Sequence, residues 1–407
     1  MTAPSAEARS VLREPGFIRL WVGTTASGLA TWSLPFVLGL GVLEGELGAA
    51  GLGVVLAART VGFLVAVPVA GVLADRHSRR GVVLWAGLAA AVGSPVIAVG
   101  LGRSVPLMAV AAVVVGAGQG ACRPAFQALV AEVVDIERRQ TANAAMALAT
   151  RITTLTAPGL TALLATVVDT RALLVGSGLV WSCAALVPPR GRAVAAATVR
   201  VRLLREFADG VREARRHPWF LAGLGGLTAV IATGYSATAV ALPLLSRDRH
   251  GTEIVLAAAM TAYTVGGLLG ALVVARWRPR APGWTALAAL ACYGFAPLAL
   301  LLPVDWVVIV AAYVIAGMGI ELFNVPWFTA TQREVEPGKL ARVSSLDFLM
   351  SYGLAPVGLA LIAPAIDAFG VTVVLGACAA VCFVVPAAAA LVPSSRDFSR
   401  GIGGAVR

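Results

Sequence analysis

Gly71-Val72-Leu73-Ala74-Asp75-Arg76-His77-Ser78-Arg79-Arg80 joins two long apolar runs, Leu52–Ala74 and Val82–Leu101. A helix of about 20 apolar residues crosses the ~30 Å hydrocarbon core of a bilayer, and each run reaches that length. The link between them has room only for a tight turn. Gly71 lets two helices approach closely. Asp75, at a helix end, is positioned to accept backbone N–H bonds from the N-terminus of a neighbouring helix. Arg79 is positioned to pair with a carboxylate at the near end of a later span, where Glu132 and Asp135 stand. The alternative, a basic topology-setting loop and nothing more, leaves the lone Asp75 without a reason.

Runs of the same kind recur outward from this point. They are Phe17–Leu43, Leu52–Ala74, Val82–Leu101, Pro106–Val130, Ala142–Val168, Ala172–Val187, Phe220–Leu245, Ile254–Ala275, Trp284–Pro303, Trp306–Ala330, Val343–Ile366 and Val371–Val392. Twelve spans of about 20 residues need roughly 240 apolar residues, and 58% of the 407 residues are apolar. Only 13% are charged, against roughly a quarter in a soluble domain. An excess of that size does not fit inside a water-soluble core, and it leaves no room for a large soluble catalytic domain. The runs do not alternate apolar and polar, which disfavours a β-barrel. The expected class is an all-α membrane protein. Cys122, Cys183, Cys292, Cys378 and Cys382 all lie inside apolar stretches and read as small packing residues.

Charge sets the orientation. With the N-terminus in the cytoplasm, 25 of the 32 basic residues fall on the cytoplasmic side and only Arg103, Arg171, Arg247 and Arg249 on the other. That bias predicts both termini inside, in a multi-pass protein of the plasma membrane. The net charge of +11 is then a topology and lipid-surface signal, not a nucleic-acid footprint. Met1–Gly16 is polar and has no basic-then-apolar cleavable signal. The longest connection, Pro188 to Pro218, separates six spans from six. Within it Leu203, Phe207 and Val211 repeat every four residues among arginines, as in a short amphipathic helix on the membrane surface; a disordered basic linker is the alternative. The expected organisation is therefore 1–187, a first six-helix half; 188–218, the linker; and 219–407, a second half. The halves echo one another. Gly116-Ala117-Gly118, Pro124 and Glu132 match Gly317-Met318-Gly319, Pro326 and Glu334, the last two pairs at one offset of 202.

With Gly71, Asp75, Arg76, Arg79 and Arg80 in place after the second span, the link resembles the signature loop of the major facilitator superfamily. Ser78 stands where that family usually has glycine. The equivalent loop, Gly270 to Arg280, keeps Arg276, Arg278 and Arg280 but has Ala275 in the acidic slot. Three further segments resemble the exporters of macrolides and siderophores (the enterobactin type) within that family. They are Glu206–Trp219, Thr141-Ala142-Asn143-Ala144 and Arg342–Asp347. The proline-glycine motif of proton antiporters is eroded to Ala157-Pro158-Gly159. The resemblance implies two pseudo-symmetric six-helix halves, spans one, four, seven and ten around a central cavity, and alternating access. It also implies a gate in which Asp75 approaches Ser344 and Ser345 and Arg79 approaches Glu132 or Asp135.

Five charged residues fall well inside spans: Arg59, Arg123, Arg151, Glu321 and Asp347. Each is costly at mid-depth and asks for a reason. Gln119, Arg123 and Gln127 form one polar stripe at four-residue spacing. Glu321 and Asn324 share a face, and Glu321 lies about nine residues, roughly 14 Å, from its helix end. A role in substrate and proton handling competes with a purely structural ion pair, and Asp347 is close enough to its span's start to be a helix cap. Trp32, Tyr235, Tyr263 and Trp327 are candidate cavity aromatics. Arginine does not titrate in proteins, which leaves Glu321, then Asp347, as candidate proton carriers.

No phosphate-binding loop surrounds Lys339, the only lysine, and the three histidines are scattered over loops. Neither ATP drive, a zinc site, another cofactor nor an enzymatic activity is expected. The sequence predicts a monomeric secondary transporter in the lipid bilayer, exporting a hydrophobic or amphipathic small molecule against protons. An uptake permease and a transport-dead membrane sensor are the alternatives; the sparse polar residues favour export, and Asp75 and Arg79 argue against the sensor.

Overall fold

A bilayer offers the backbone no hydrogen-bond partners, so a spanning segment closes its bonds internally as helix. The computed structural model describes residues 11–76, 78–191, 203–250 and 254–399, and among them there are helices and no strands. The chain divides into two compact units, Met1–Ala197 and Thr198–Arg407.

In the first unit the helices are α1 (Pro15–Leu43), α2 (Ala49–Arg76), α3 (Arg79–Gly100), α4 (Val105–Val133), α5 (Arg139–Leu164) and α6 (Thr170–Leu186). In the second they are α7 (Leu203–Arg215), α8 (Pro218–Ala229), α9 (Ser236–His250), α10 (Ile254–Arg276), α11 (Pro282–Ala291), α12 (Phe295–Leu301), α13 (Trp306–Glu334), α14 (Leu340–Gly353), α15 (Ala355–Phe369) and α16 (Val371–Ala390). Three spans of the second unit are composite. A π-helical turn, Val230–Tyr235, joins α8 to α9. A 3₁₀ turn, Cys292–Gly294, joins α11 to α12, and a break at Leu354 divides α14 from α15. Counted this way, the units hold six spans each.

Ten segments of the described residues are long and apolar enough to cross a membrane. The other two spans depart from that standard differently. Helix α6 is apolar but has 17 residues. Helix α5 has 26 residues but is rich in threonine. Four of its hydroxyls are satisfied within the helix: Thr150 donates to Met146 O (3.1 Å), Thr153 and Thr154 to Thr150 O (2.9 and 2.8 Å), and Thr156 to Ile152 O (2.8 Å). A hydroxyl bonded to its own helix no longer needs water.

Lipid tails are as apolar as leucine, so packing rather than hydrophobicity joins the helices, and small residues let backbones meet. Helix α4 packs on α2 at glycine levels where a Cβ would overlap the opposing carbonyl: Gly62 against Val113 O, Gly116 against Arg59 O. Helix α13 packs on α10 in the same way, Gly266 against Val314 O and Gly317 against Tyr263 O. Helices α4 and α13 each have 29 residues. Gly71 is buried farther along α2.

The amphipathic segment Leu203–Arg215 is helical, and residues 192–202, with Arg200, lie outside the described residues. Its acidic face is the one turned inward. Glu206 pairs with Arg342 (3.1 Å) and Glu213 with Lys339 (3.1 Å), both at the start of the span formed by α14 and α15. Burial raises the Glu213 carboxyl pKa, but the Lys339 hydrogen bond and the charges of Lys339, Arg216 and His217 together hold it below the ordinary value. Phe207 and Val211 remain half-exposed on the helix.

Gly62→Leu drives a side chain into the α4 backbone. Overpacking costs about 1–3 kcal/mol, so thermal unfolding in detergent should fall by several degrees, while Gly53→Leu, in open space on the same helix, leaves it unchanged.

Candidate functional site

The link between α2 and α3 is organised by Arg79. Ser78, with extended backbone, caps α3 by accepting a hydrogen bond from Gly81 N (3.1 Å). Hydroxyl capping satisfies an otherwise orphaned N–H, so Ser78 does here what a tighter glycine turn does by geometry. The cap fixes the first turn, and the Arg79 side chain is buried at 2% exposure. Its guanidinium pairs with Glu132 Oε1 on α4 at 2.8 Å and with Asp75 Oδ1 on α2 at 3.4 Å, and it donates to Ala128 O at 3.1 Å. One buried cation therefore ties together the ends of three helices. Of the two carboxylates expected to meet Arg79, Glu132 does so; Asp135 is exposed and pairs with Arg138 (3.4 Å), which also holds Glu14. Arg80 turns the other way, donating to Leu186 O at 3.0 Å, and Arg76 ends α2 half-buried. Ser344 and Ser345 are buried on α14; Ser345 donates to Arg342 O at 2.7 Å.

Inside the spans of the first unit, Arg59 on α2 donates to Gln119 Oε1 on α4 (2.7 Å) and to Thr31 O on α1 (3.1 Å). Arg123, one turn beyond Gln119, is near enough for its charge to act on Arg59. Gln127 and Arg151 are half-buried on α4 and α5. Trp32, next to Thr31 on α1, is half-buried, and its buried indole N–H has no partner among the described residues. Spacing puts Gln119 and Arg123 on one face of α4, and the structure brings Arg59 of α2 to them.

The acids within spans belong to the second unit. Glu321 on α13 is 4% exposed, and its Cβ packs beside Gly270 on α10. Asp347 on α14 is 3% exposed; its polar neighbours are the Ser351 hydroxyl (3.5 Å) and the Trp327 indole. Because α14 begins at Leu340, Asp347 sits in the third helical turn, too far in to cap it. Asn324 is half-buried on α13.

Trp327, expected at a cavity, is fully buried in an aromatic core. It stacks on Phe220 (4.9 Å between centroids) and Phe323 (5.3 Å) and meets Trp219 and Phe398 edge-on. Gly223 makes the space for its ring. Tyr235 and Tyr263 join a group that sequence spacing does not reveal. Tyr263 meets Tyr293 edge-on at 6.2 Å, and the Tyr293 hydroxyl lies 3.3 Å from Thr238 Oγ1. Tyr313 and Tyr235 are also near enough to act on Tyr293, so four of the chain's five tyrosines converge. The group forms beside the π-helical turn, where Gly234 packs on Tyr293. Such turns concentrate at functional positions in helices.

A family model described as the Major Facilitator Superfamily matches residues 20–357 and, a second time, 224–405. No curated protein matches the sequence. Among solved structures, the human organic anion transporter MFSD10 (TETRAN) is similar with a TM-score of 0.76 at 15% identity, over 92% of this chain and 99% of that one. The fucose:proton symporter FucP of E. coli is similar at TM-score 0.70 and 15% identity, over 94% and 99% of the two chains. A bacterial homologue of the iron transporter ferroportin in its outward-facing state follows at 0.67 and 18%, over 92% and 99%. At these identities the likeness is one of fold.

Removing one partner of a buried ion pair typically costs about 3–5 kcal/mol. Asp75 still faces Arg79 when Glu132 is lost, so Glu132→Gln should cost near the lower end. Thermal unfolding should show it, with no change for the exposed Glu137→Gln; equal behaviour of the two variants contradicts the role given to Arg79.

Proposed function

The chain belongs to the Major Facilitator Superfamily and is a secondary transporter in a membrane; from that premise we propose that it exports a hydrophobic or amphipathic small molecule in exchange for protons. The observation that carries this reading is the burial of Glu321 and Asp347 in apolar spans of the second unit. A buried intramembrane carboxyl is expensive to keep, and proton relays are a principal use for one. A carboxyl that alternates between water and an apolar or guanidinium-bearing environment gains and loses a proton. Arg59, Arg123 and Arg151 do not titrate and act instead as fixed positive charges.

The two six-helix halves, 1–187 and 219–407 with the linker 188–218 between them, alternate in access around a central site. Arg59, Gln119, Arg123 and Gln127 contribute polar groups to it from one half. Tyr235, Tyr263, Glu321 and Asn324 contribute from the other, and Trp32 and Arg151 from the first. Aromatic faces suit apolar rings and lipophilic cations, and the sparse polar groups suit drugs, antibiotics or siderophores better than sugars. The segments Glu206–Trp219, Thr141–Ala144 and Arg342–Asp347 support the macrolide and siderophore exporter branch by resemblance. The protein works as a monomer in the plasma membrane with both termini in the cytoplasm, the orientation that the arginine bias supports. Gly71, Asp75, Arg76, Arg79 and Arg80 form the gate, closing when Asp75 reaches Ser344 and Ser345.

Cells expressing the protein should accumulate less of a lipophilic cation or macrolide, and a protonophore should erase the difference; accumulation that rises with expression refutes export. Asp75→Asn should insert normally and lose transport. In proteoliposomes with an imposed gradient, Glu321→Gln should abolish proton-driven export and preserve counterflow exchange. Unchanged driven export in that variant removes Glu321 from the role and moves the test to Asp347→Asn.

A further inference from the structure

Arg80, at the edge of the gate motif, reaches the end of α6, and two more arginines meet it there. Arg19, on α1, donates from Nε to Val187 O at 2.9 Å; Arg80 donates to Leu186 O at 3.0 Å. The charges of Arg19 and Arg190 both act on Arg80. None of the three has a carboxylate within ion-pair distance among the described residues. Glu132, which lies against Gly191, is held by Arg79. The Arg80 Nη1 is buried and has no hydrogen-bond partner among the described residues. Three guanidiniums gathered without an acid repel one another unless an anion neutralises them.

A second feature begins one turn deeper in the span. A cavity of about 420 Å³ runs between α1 and α6, lined by Trp21, Thr25, Ala26, Leu29, Leu179 and Cys183 among others. Its length along α1, from Trp21 to Leu29, is about 12 Å at 1.5 Å per residue. The Trp21 indole N–H is already committed to Ala145 O (2.9 Å), which leaves its ring as apolar wall. Leu179 is 70% exposed, so the groove is open along its side, as a channel for a chain supplied by surrounding lipid must be. The volume falls in the ~300–1,000 Å³ range of small-molecule sites, but the lining offers almost no group to orient a polar solute.

We propose that Arg19, Arg80 and Arg190 bind the phosphate of an anionic phospholipid, one of whose acyl chains lies in the groove between α1 and α6. The charge has the sign a phosphodiester needs, the bare N–H needs an acceptor, and the groove starts where the acyl chain would leave the headgroup. Arginine matches phosphate oxygens in bidentate geometry, and basic pockets between spanning helices are suited to anionic headgroups. The proposal is independent of substrate, direction and coupling ion.

The test is native mass spectrometry of the purified full chain titrated with phosphatidylglycerol or phosphatidylcholine of the same acyl chains. One tightly retained phosphatidylglycerol is expected, preferred over phosphatidylcholine and not displaced by excess inorganic phosphate. One basic residue near an anionic surface contributes about 1 kcal/mol, roughly fivefold, so Arg19→Gln combined with Arg190→Gln should weaken retention roughly 30-fold. Leu179→Trp, which fills the groove and keeps the arginines, should weaken it as well. Arg103→Gln, an exposed arginine in the turn between α3 and α4, should not. Unfolding temperatures identify any variant that fails to fold, and a misfolded one is replaced by Arg190→Gln alone or Ala26→Leu. Undiminished phosphatidylglycerol preference in a folded arginine variant overturns the proposal, as does equal loss in Arg103→Gln. Displacement by inorganic phosphate with no effect of Leu179→Trp also overturns it and leaves a site for a free anion.

Discussion

Without a hydrophobic force between helices in lipid, a membrane protein must hold its spans by backbone contact, and glycine is the residue that permits it. In this chain the constraint is met at several seams, most closely at that of α2 with α4 and that of α10 with α13. The same seams carry the polar groups. Gly116 sits on the carbonyl of Arg59, Gly317 on the carbonyl of Tyr263, and Gly270 beside the Cβ of Glu321. A residue whose backbone is pinned against a neighbouring helix has little freedom to relax away from its position. That is a useful property for a charge or hydroxyl that must act inside the membrane.

The link between α2 and α3 shows a different economy. Arg79 satisfies Glu132, Asp75 and a backbone carbonyl from one buried guanidinium, so the ends of α2, α3 and α4 depend on a single side chain. Arg80, its sequence neighbour, leaves that network for the end of α6. Adjacent arginines therefore make separate contacts, one knitting helix ends within the unit and one at the end of α6, near the groove between α1 and α6.

Much of this was legible in the sequence because it is encoded locally. Hydropathy marks the spans, and the lone Asp75 among arginines marks the link. Four-residue spacing brings Gln119 and Arg123 to one face, where Arg59 joins them. What stayed hidden depends on contacts between distant segments or on backbone irregularity. Trp327 reads as a cavity aromatic until Gly223, Phe220 and Phe398 enclose it. Tyr293 and Tyr313 become partners of Tyr235 and Tyr263 only once segments distant in sequence pack together. The acidic face of α7 has no visible partner until Lys339 and Arg342, more than a hundred residues later, come to it. Asp347 resembles a cap because hydropathy starts its span at Val343, whereas the helix starts at Leu340.

Within the spans the arginines Arg59, Arg123 and Arg151 lie in the first unit and the carboxyls Glu321 and Asp347 in the second. In the proposed exchange of a solute for protons, the carboxyls carry the proton and the arginines, which do not titrate, keep their charge. The most direct measurement is of the proton itself. Proteoliposomes containing a pH-sensitive dye, with no imposed gradient, are given a lipophilic cation that the protein transports. The account predicts a pH change inside that reports protons moving opposite to the solute and that vanishes when Glu321→Gln and Asp347→Asn are combined. Solute flux with no pH change, or with protons moving in the same direction, contradicts it.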